Sequence, residues 1–180
     1  MIQNIGLFCA SGNDVAYYYF EESAILGRWI GENKKRLIYG GANVGLMEAT
    51  AERVKKHGGF ITGIITHRIC EYGKASSLPD ELIRVETLGD RKQAMIDKAD
   101  IFIALPGGFG TLDEIFTVIA AGQLGYHKKK VILCNTNGFY NSLINQIELL
   151  FREAFATPSY KNYYQIATNA EECIRILELL

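Results

Sequence analysis

The sequence lacks any marked charge imbalance. Nineteen lysines and arginines stand against twenty aspartates and glutamates, a formal net charge of −1. A bulk electrostatic affinity for nucleic acid or for an anionic membrane is therefore excluded, although a local basic pocket is not. Long apolar runs are missing too: none reaches the ~18 residues needed to cross a bilayer. The opening "MIQNIGLFCASGN" places no basic stretch ahead of an apolar one. No export signal is expected, and a cytoplasmic protein is. The four cysteines, Cys9, Cys70, Cys134 and Cys173, form no CxxC, and the three histidines do not cluster. No metal site follows, no cofactor is expected, and the compartment should be reducing. Cys9 and Cys134 end apolar runs and read as buried thiols. No linker, repeat or low-complexity segment interrupts the chain.

What is present is apolar. Hydrophobic residues make up 48% of 180 positions, enough for one domain, residues 1–180, with a real core. Short β-rich runs fall at Ile5–Cys9, Arg36–Tyr39, Phe60–Ile65, Leu82–Glu86, Ile101–Leu105 and Val131–Cys134, with a weaker seventh at Tyr164–Ile166. Between them, helical patterns occupy residues near 15–33, 46–57, 90–99, 111–125, 139–154 and 170–179. Strands that are apolar throughout are buried on both faces, as in a parallel sheet. The strict alternation predicts an α/β fold with a doubly wound, mainly parallel sheet. Residues 66–80 are the longest irregular stretch, the kind that can form a flexible wall of a site.

In such a sheet, ligands bind outside the carboxyl ends of the strands. Three strand exits carry small residues: "CASGN" with Ser11 and Gly12, "YGGANVGLM" with Gly40, Gly41 and Asn43, and "LPGGFGTLDE" with Gly107, Gly108, Phe109, Gly110 and Thr111. Glycine lets backbone approach a ligand closely, and the helix that follows offers free N–H groups. Neither loop pattern ends in GK[ST], and GxGxxG is absent after the first strand. Dinucleotide and ATP-hydrolysis readings therefore lose support, and a mononucleotide or sugar phosphate remains.

Two further features demand a reading. In "LGDRKQAMIDKAD", Asp90 is placed to cap a helix whose first turn holds Arg91 and Lys92, where cations oppose the dipole. Arg91 is suited to fork onto phosphate or carboxylate oxygens. In the glycine loop, Thr111-Leu-Asp-Glu114 matches a capping box, a sufficient structural reason for both residues. On pattern alone, Glu114 is a cap or a catalyst.

"PGGFGTLDE", with Arg91-Lys92 upstream, resembles the PGGxGTxxE signature of the Lonely Guy family, the cytokinin riboside 5′-monophosphate phosphoribohydrolases. "GLFCASGN", "YGGANVGLM", "DRKQAMIDKADIFIALPGGFGTLDE" and "AGQLGYHKKKVILCNTNGFYNSL" extend the resemblance over most of the chain. It implies a Rossmann-like three-layer α/β/α fold, a homodimer, and hydrolysis of the N-glycosidic bond of a purine nucleoside 5′-monophosphate. The products are free base and ribose 5-phosphate. AMP and N6-prenylated AMP are the substrates in view, with no nucleic-acid or membrane partner. By position, Arg91 and Glu114 match the catalytic pair. Ser11, Gly12, Gly40, Gly41, Asn43, Glu71, Lys92, Gly107 to Thr111 and Gln123 are assigned to substrate. Arg91 then fixes either Glu114 or the phosphate and keeps the acid ionised.

The family's usual Met-His-Glu before Arg-Lys is replaced by Leu88-Gly89-Asp90, and a frequent Thr-Trp by residues in Ala120–Gly122. These losses are expected to open space beside the site. Some members carry the label "possible lysine decarboxylase", for which the sequence offers no pyridoxal-phosphate lysine context. The alternative function is a non-catalytic binder or carrier of a phosphorylated ligand such as molybdenum cofactor, with Glu114 only a cap. A dimeric scaffold with a vestigial pocket is a third.

Overall fold

The computed structural model describes residues 2–180. Seven strands form one sheet, in which every adjacent pair is parallel. They are β1 (Asn4–Phe8), β2 (Arg36–Tyr39), β3 (Phe60–Thr66), β4 (Glu81–Val85), β5 (Ile101–Ala104), β6 (Val131–Cys134) and β7 (Tyr164–Ala167), in the order β4-β3-β2-β1-β5-β6-β7. The strand order reverses between β1 and β5, so the connections leaving these two neighbours diverge and leave a crevice. The helices are α1 (Tyr17–Glu32), α2 (Gly45–Lys56), α3 (His67–Glu71), α4 (Leu88–Lys98), α5 (Phe109–Gln123), α6 (Asn141–Arg152) and α7 (Ala170–Glu178).

Alternation along the strands explains the three layers. In β1, β2, β5 and β6, residues such as Ile5, Leu7, Leu37, Tyr39, Ile103 and Cys134 join Leu26 and Ile30 of α1, Leu46 and Val54 of α2, and Cys173 and Leu177 of α7. The intervening residues, including Phe8, Ile38, Phe102 and Leu133, join Met95 of α4, Ile115 and Val118 of α5, and Tyr140 ahead of α6. Side chains two apart share a face, so both faces need apolar residues and the strands read as continuous apolar runs. Each face carries its own apolar cluster, which gives the doubly wound form.

One sequence expectation shifts here. Residues 66–80 are not wholly irregular: Thr66 caps the single turn of α3 by accepting from the Ile69 amide, and an isolated bridge pairs Ala42 with Ala75. His127 is half-buried, and its Nδ1 accepts from the Lys129 amide. Among the described residues no helix is long and apolar enough to cross a membrane.

Candidate active site

The loop after β5 delivers the first component. Gly108, in an extended conformation, is the N-cap of α5, and no side chain caps the helix. The first intrahelical bond runs from the Leu112 amide to the Gly108 carbonyl at 3.1 Å. The amides of Phe109, Gly110 and Thr111 therefore have no partner within the helix and stand at its positive end. The capping box expected at Thr111 and Glu114 does not form, because the helix starts at Phe109 rather than after Thr111. Thr111 is buried within the first turn, against Gly107, and Glu114 lies a turn further in.

The second component comes from α4. Thr87 is its N-cap: Thr87 Oγ1 accepts from the Asp90 amide at 3.0 Å, and Asp90 Oδ2 accepts from the Thr87 amide at 3.1 Å. Asp90 is thus the third helical residue of a capping box and not the cap. Arg91 follows in the next turn, beyond the strongest unfavourable field of the N-terminus, which corrects the expected placement.

These two helices bring Arg91 and Glu114 together. Arg91 Nη1 donates to Glu114 Oε1 at 2.9 Å, while Arg91 Nε donates to the Ile64 carbonyl at 3.0 Å. The two side chains are only 13% and 11% exposed. Burial pushes the Glu114 carboxyl above its ordinary range; the Arg91 guanidinium opposes this, by charge and hydrogen bond, without cancelling it. Arg91 thus acts on Glu114 in the expected direction, towards the ionised form, but burial outweighs it.

Two glycines make the approach possible. A Cβ on Gly40 would overlap Arg91 Nη2. Gly45, at φ +55°, lets α2 dock against the loop after β1: its amide donates to Asn13 Oδ1 at 2.8 Å, and a Cβ there would meet the Ala10 carbonyl. Gly40→Ala is expected to displace the Arg91 guanidinium and lower turnover by up to about 10²-fold, as misplacement near 1 Å can. Steady-state kinetics on a variant shown to remain folded by circular dichroism would check this.

The pair faces a cavity of about 270 Å³ at the crevice. Ser11, Gly40, Arg91, Gly108, Phe109, Gly110, Thr111 and Glu114 all line it, as do Leu7, Cys9, Met47 and Ile69, which sequence reasoning did not assign to the site. The signal for these was positional: Cys9, Met47 and Ile69 lie in an exit loop or in the 66–80 wall, and Leu7 lies in β1 just ahead of one. Burial pushes the Cys9 thiol well above its usual range, so it is no nucleophile at neutral pH.

The remaining assigned residues lie elsewhere. Gly12 sits exposed beside Ser11, and Gly107 packs behind the loop on Thr111. Gly41, buried at φ +68°, backs onto Ile64 and Ile65. Asn43 holds the wall, its amide donating to the Lys74 carbonyl at 2.9 Å. Glu71 is an exposed residue at the end of α3, outside the cavity lining. Lys92 is bonded to Asp113 and Thr117 rather than facing the cavity. Gln123 ends α5, roughly 20 Å from Phe109 at 1.5 Å per residue, and accepts from Ser159 Oγ. The altered Ala120–Gly122 stretch is also remote. A Cβ on Gly122 would strike the Tyr163 ring, and Ala120 lines an apolar groove with Phe116. These positions therefore open no space at the cavity within this chain.

Residues 47–177 match a family profile described as "Possible lysine decarboxylase". The chain is 37% identical to the cytokinin riboside 5′-monophosphate phosphoribohydrolase LOG7 of Arabidopsis thaliana, over 98% of this chain and 81% of that one. It is 35% identical to LOG5 of the same plant, over 98% and 77%. Among solved structures, a molybdenum cofactor carrier protein from Chlamydomonas reinhardtii superposes with a TM-score of 0.75 at 18% identity, over 99% of this chain and 97% of that one. The molybdenum cofactor binding protein of Rippkaea orientalis gives 0.71 at 23%, over 99% and 97%. At these identities the structural likeness speaks to the fold alone. The sequence likeness spans nearly the whole chain, and with it the chain belongs to the Lonely Guy family of phosphoribohydrolases.

Proposed function

We propose that the protein hydrolyses the N-glycosidic bond of purine nucleoside 5′-monophosphates, AMP and N6-prenylated AMP among them, to free base and ribose 5-phosphate. One observation carries this: the buried Arg91–Glu114 pair and the unpaired amides of Phe109 to Thr111 face the same cavity. The 5′-phosphate sits on the amides, where an anion is favoured. The anomeric carbon then lies one ribose away, roughly 5–6 Å by ordinary bond lengths. There the Glu114 carboxylate stabilises positive charge developing on the ribose ring and orients the attacking water. Water adds its hydroxyl to the anomeric carbon and its proton goes to the departing base. Arg91 holds Glu114 by a direct hydrogen bond, which supports an orienting role.

Among the described residues, no lysine lines the cavity, so a pyridoxal aldehyde has no amine to bond there. The partner we propose, besides the nucleotide, is a second copy of the chain. Phe116 on α5 and Leu124 just past its end are exposed, and sedimentation of the purified protein as a dimer would bear this out.

The test is incubation with AMP and with N6-isopentenyl-AMP, following free base and ribose 5-phosphate. Release from neither, with a pterin-type ligand retained, would overturn the hydrolase in favour of a carrier.

The pH profile offers a second check. Glu114 works as a carboxylate and its folded pKa is raised. Turnover should therefore fall on acidification at a pH above 4.5, the ordinary glutamate value. Stability should run the other way. Glu114's contribution is most favourable below the unfolded pKa and is lost as pH rises through the folded one. An acid limb at or below the ordinary value would count against Glu114 as the working base.

A further inference from the structure

Lys92 neighbours Arg91 in sequence, and the family resemblance assigns it to the nucleotide. The structure gives it a different set of partners. Its ammonium donates to Asp113 Oδ1 and Oδ2, both at 2.8 Å, and to Thr117 Oγ1 at 3.1 Å. An ammonium has three N–H donors and no acceptor, so these three bonds use all of its capacity. The Thr117 hydroxyl donates its one hydrogen to the Asp113 carbonyl at 2.7 Å, which leaves it only as an acceptor toward Lys92. Every polar contact in the group is consistent in direction. Lys92 does not line the cavity, and its side chain is 21% exposed.

The two ion pairs are successive rungs between the same two helices. Arg91 and Lys92 stand on α4, Glu114 and Asp113 on α5. Consecutive helical residues point about 100° apart, so one rung reaches the cavity while the next spans the helix seam.

We propose that Lys92 is a positioning residue: through Asp113 and Thr117 it fixes α4 against α5 and thereby sets Arg91 on Glu114, without touching the phosphate. This rests on the hydrolase reading above. With Lys92 lost, the helix ends separate or slide, and the Arg91–Glu114 contact loses its alignment. Phosphate affinity, which depends on the amides of α5, stays as it was.

The experiment is a kinetic cycle with AMP on the wild type, Lys92→Met, Asp113→Asn and the double variant, with the inhibition constant of ribose 5-phosphate measured on each. Each single variant should lower kcat by about tenfold, with KM and the inhibition constant within about twofold. The double variant should be no worse than the poorer single, because both remove one interaction. A merely structural role would lower the melting temperature and leave kcat alone. A phosphate contact predicts a KM and inhibition constant raised tenfold or more by Lys92→Met and untouched by Asp113→Asn; either pattern overturns the proposal. Asp113 is exposed, so Asp113→Asn carries the test should Lys92→Met fail to fold. A wild-type protein that releases no base from AMP or N6-isopentenyl-AMP overturns the hydrolase reading itself, and this role with it.

Discussion

Glu114→Gln is expected to lower turnover by at least about 10²–10³-fold, the usual cost of losing one transition-state electrostatic contact. The fold should survive the change. Glutamine keeps the size of the side chain and an oxygen able to accept from Arg91 Nη1, now at 2.9 Å from the carboxylate. It removes a charge whose burial the protein resists, as the raised pKa of Glu114 shows. No cap is lost, because Gly108 begins α5 without side-chain help. The Arg91 guanidinium keeps a hydrogen-bond acceptor but loses its counter-charge, so the melting temperature should fall moderately while base release collapses, and the acid limb of the pH profile should vanish with it. Near-normal turnover with a clear loss of stability would sink the catalytic role.

Arg91→Met should damage both properties. Removing one partner of a buried pair strands the other charge, typically at a cost of about 3–5 kcal/mol. Arg91 and Glu114 are both largely buried, so solvent screens little of this. The loss should depend on pH in a definite sense. Without the guanidinium, the main influence lowering the Glu114 pKa is gone, so the folded value climbs further above 4.5. A group with a raised folded pKa destabilises the native state increasingly as pH rises from the unfolded value to the folded one. The deficit in melting temperature should accordingly be larger at pH 8 than at pH 5. Turnover should fall with it, since Glu114 loses its orientation. A deficit equal at both pH values would mean that Glu114 does not carry the stranded charge.

The sequence showed the sheet clearly and the helix ends poorly, for physical reasons. Ile103 and Leu133 face opposite apolar layers, so strands buried on both sides cannot hide. The weaker seventh strand is an edge strand whose Ile166 remains 40% exposed. The five residues of α3 are too short to display a helical period. Errors at α4 and α5 share one cause. Thr87-x-x-Asp90 and Thr111-x-x-Glu114 are equally good capping signatures, yet only the first closes. What separates them is tertiary: Glu114 has Arg91 to meet, 23 positions away. Lys92 and Gln123 were assigned by position, and position does not say which way a helical side chain points. The same holds for Met47 and Ile69, whose place on the cavity wall depends on how the loops dock.

The reversal of strand order between β1 and β5 also bears on when the site comes into being. Cys9 and Ser11 enter the cavity from the loop after β1, and Glu114 from the helix after β5. These strands meet only when residues near the start of the chain pair with residues near 101, as Asn4 does with Asp100 across 96 positions. Closing so large a loop is slow compared with local helix formation. A nascent chain emerging in order can complete β1 to β4 and still lack Glu114. Activity in this protein is thus a late property of folding, acquired only when the two halves of the sheet join.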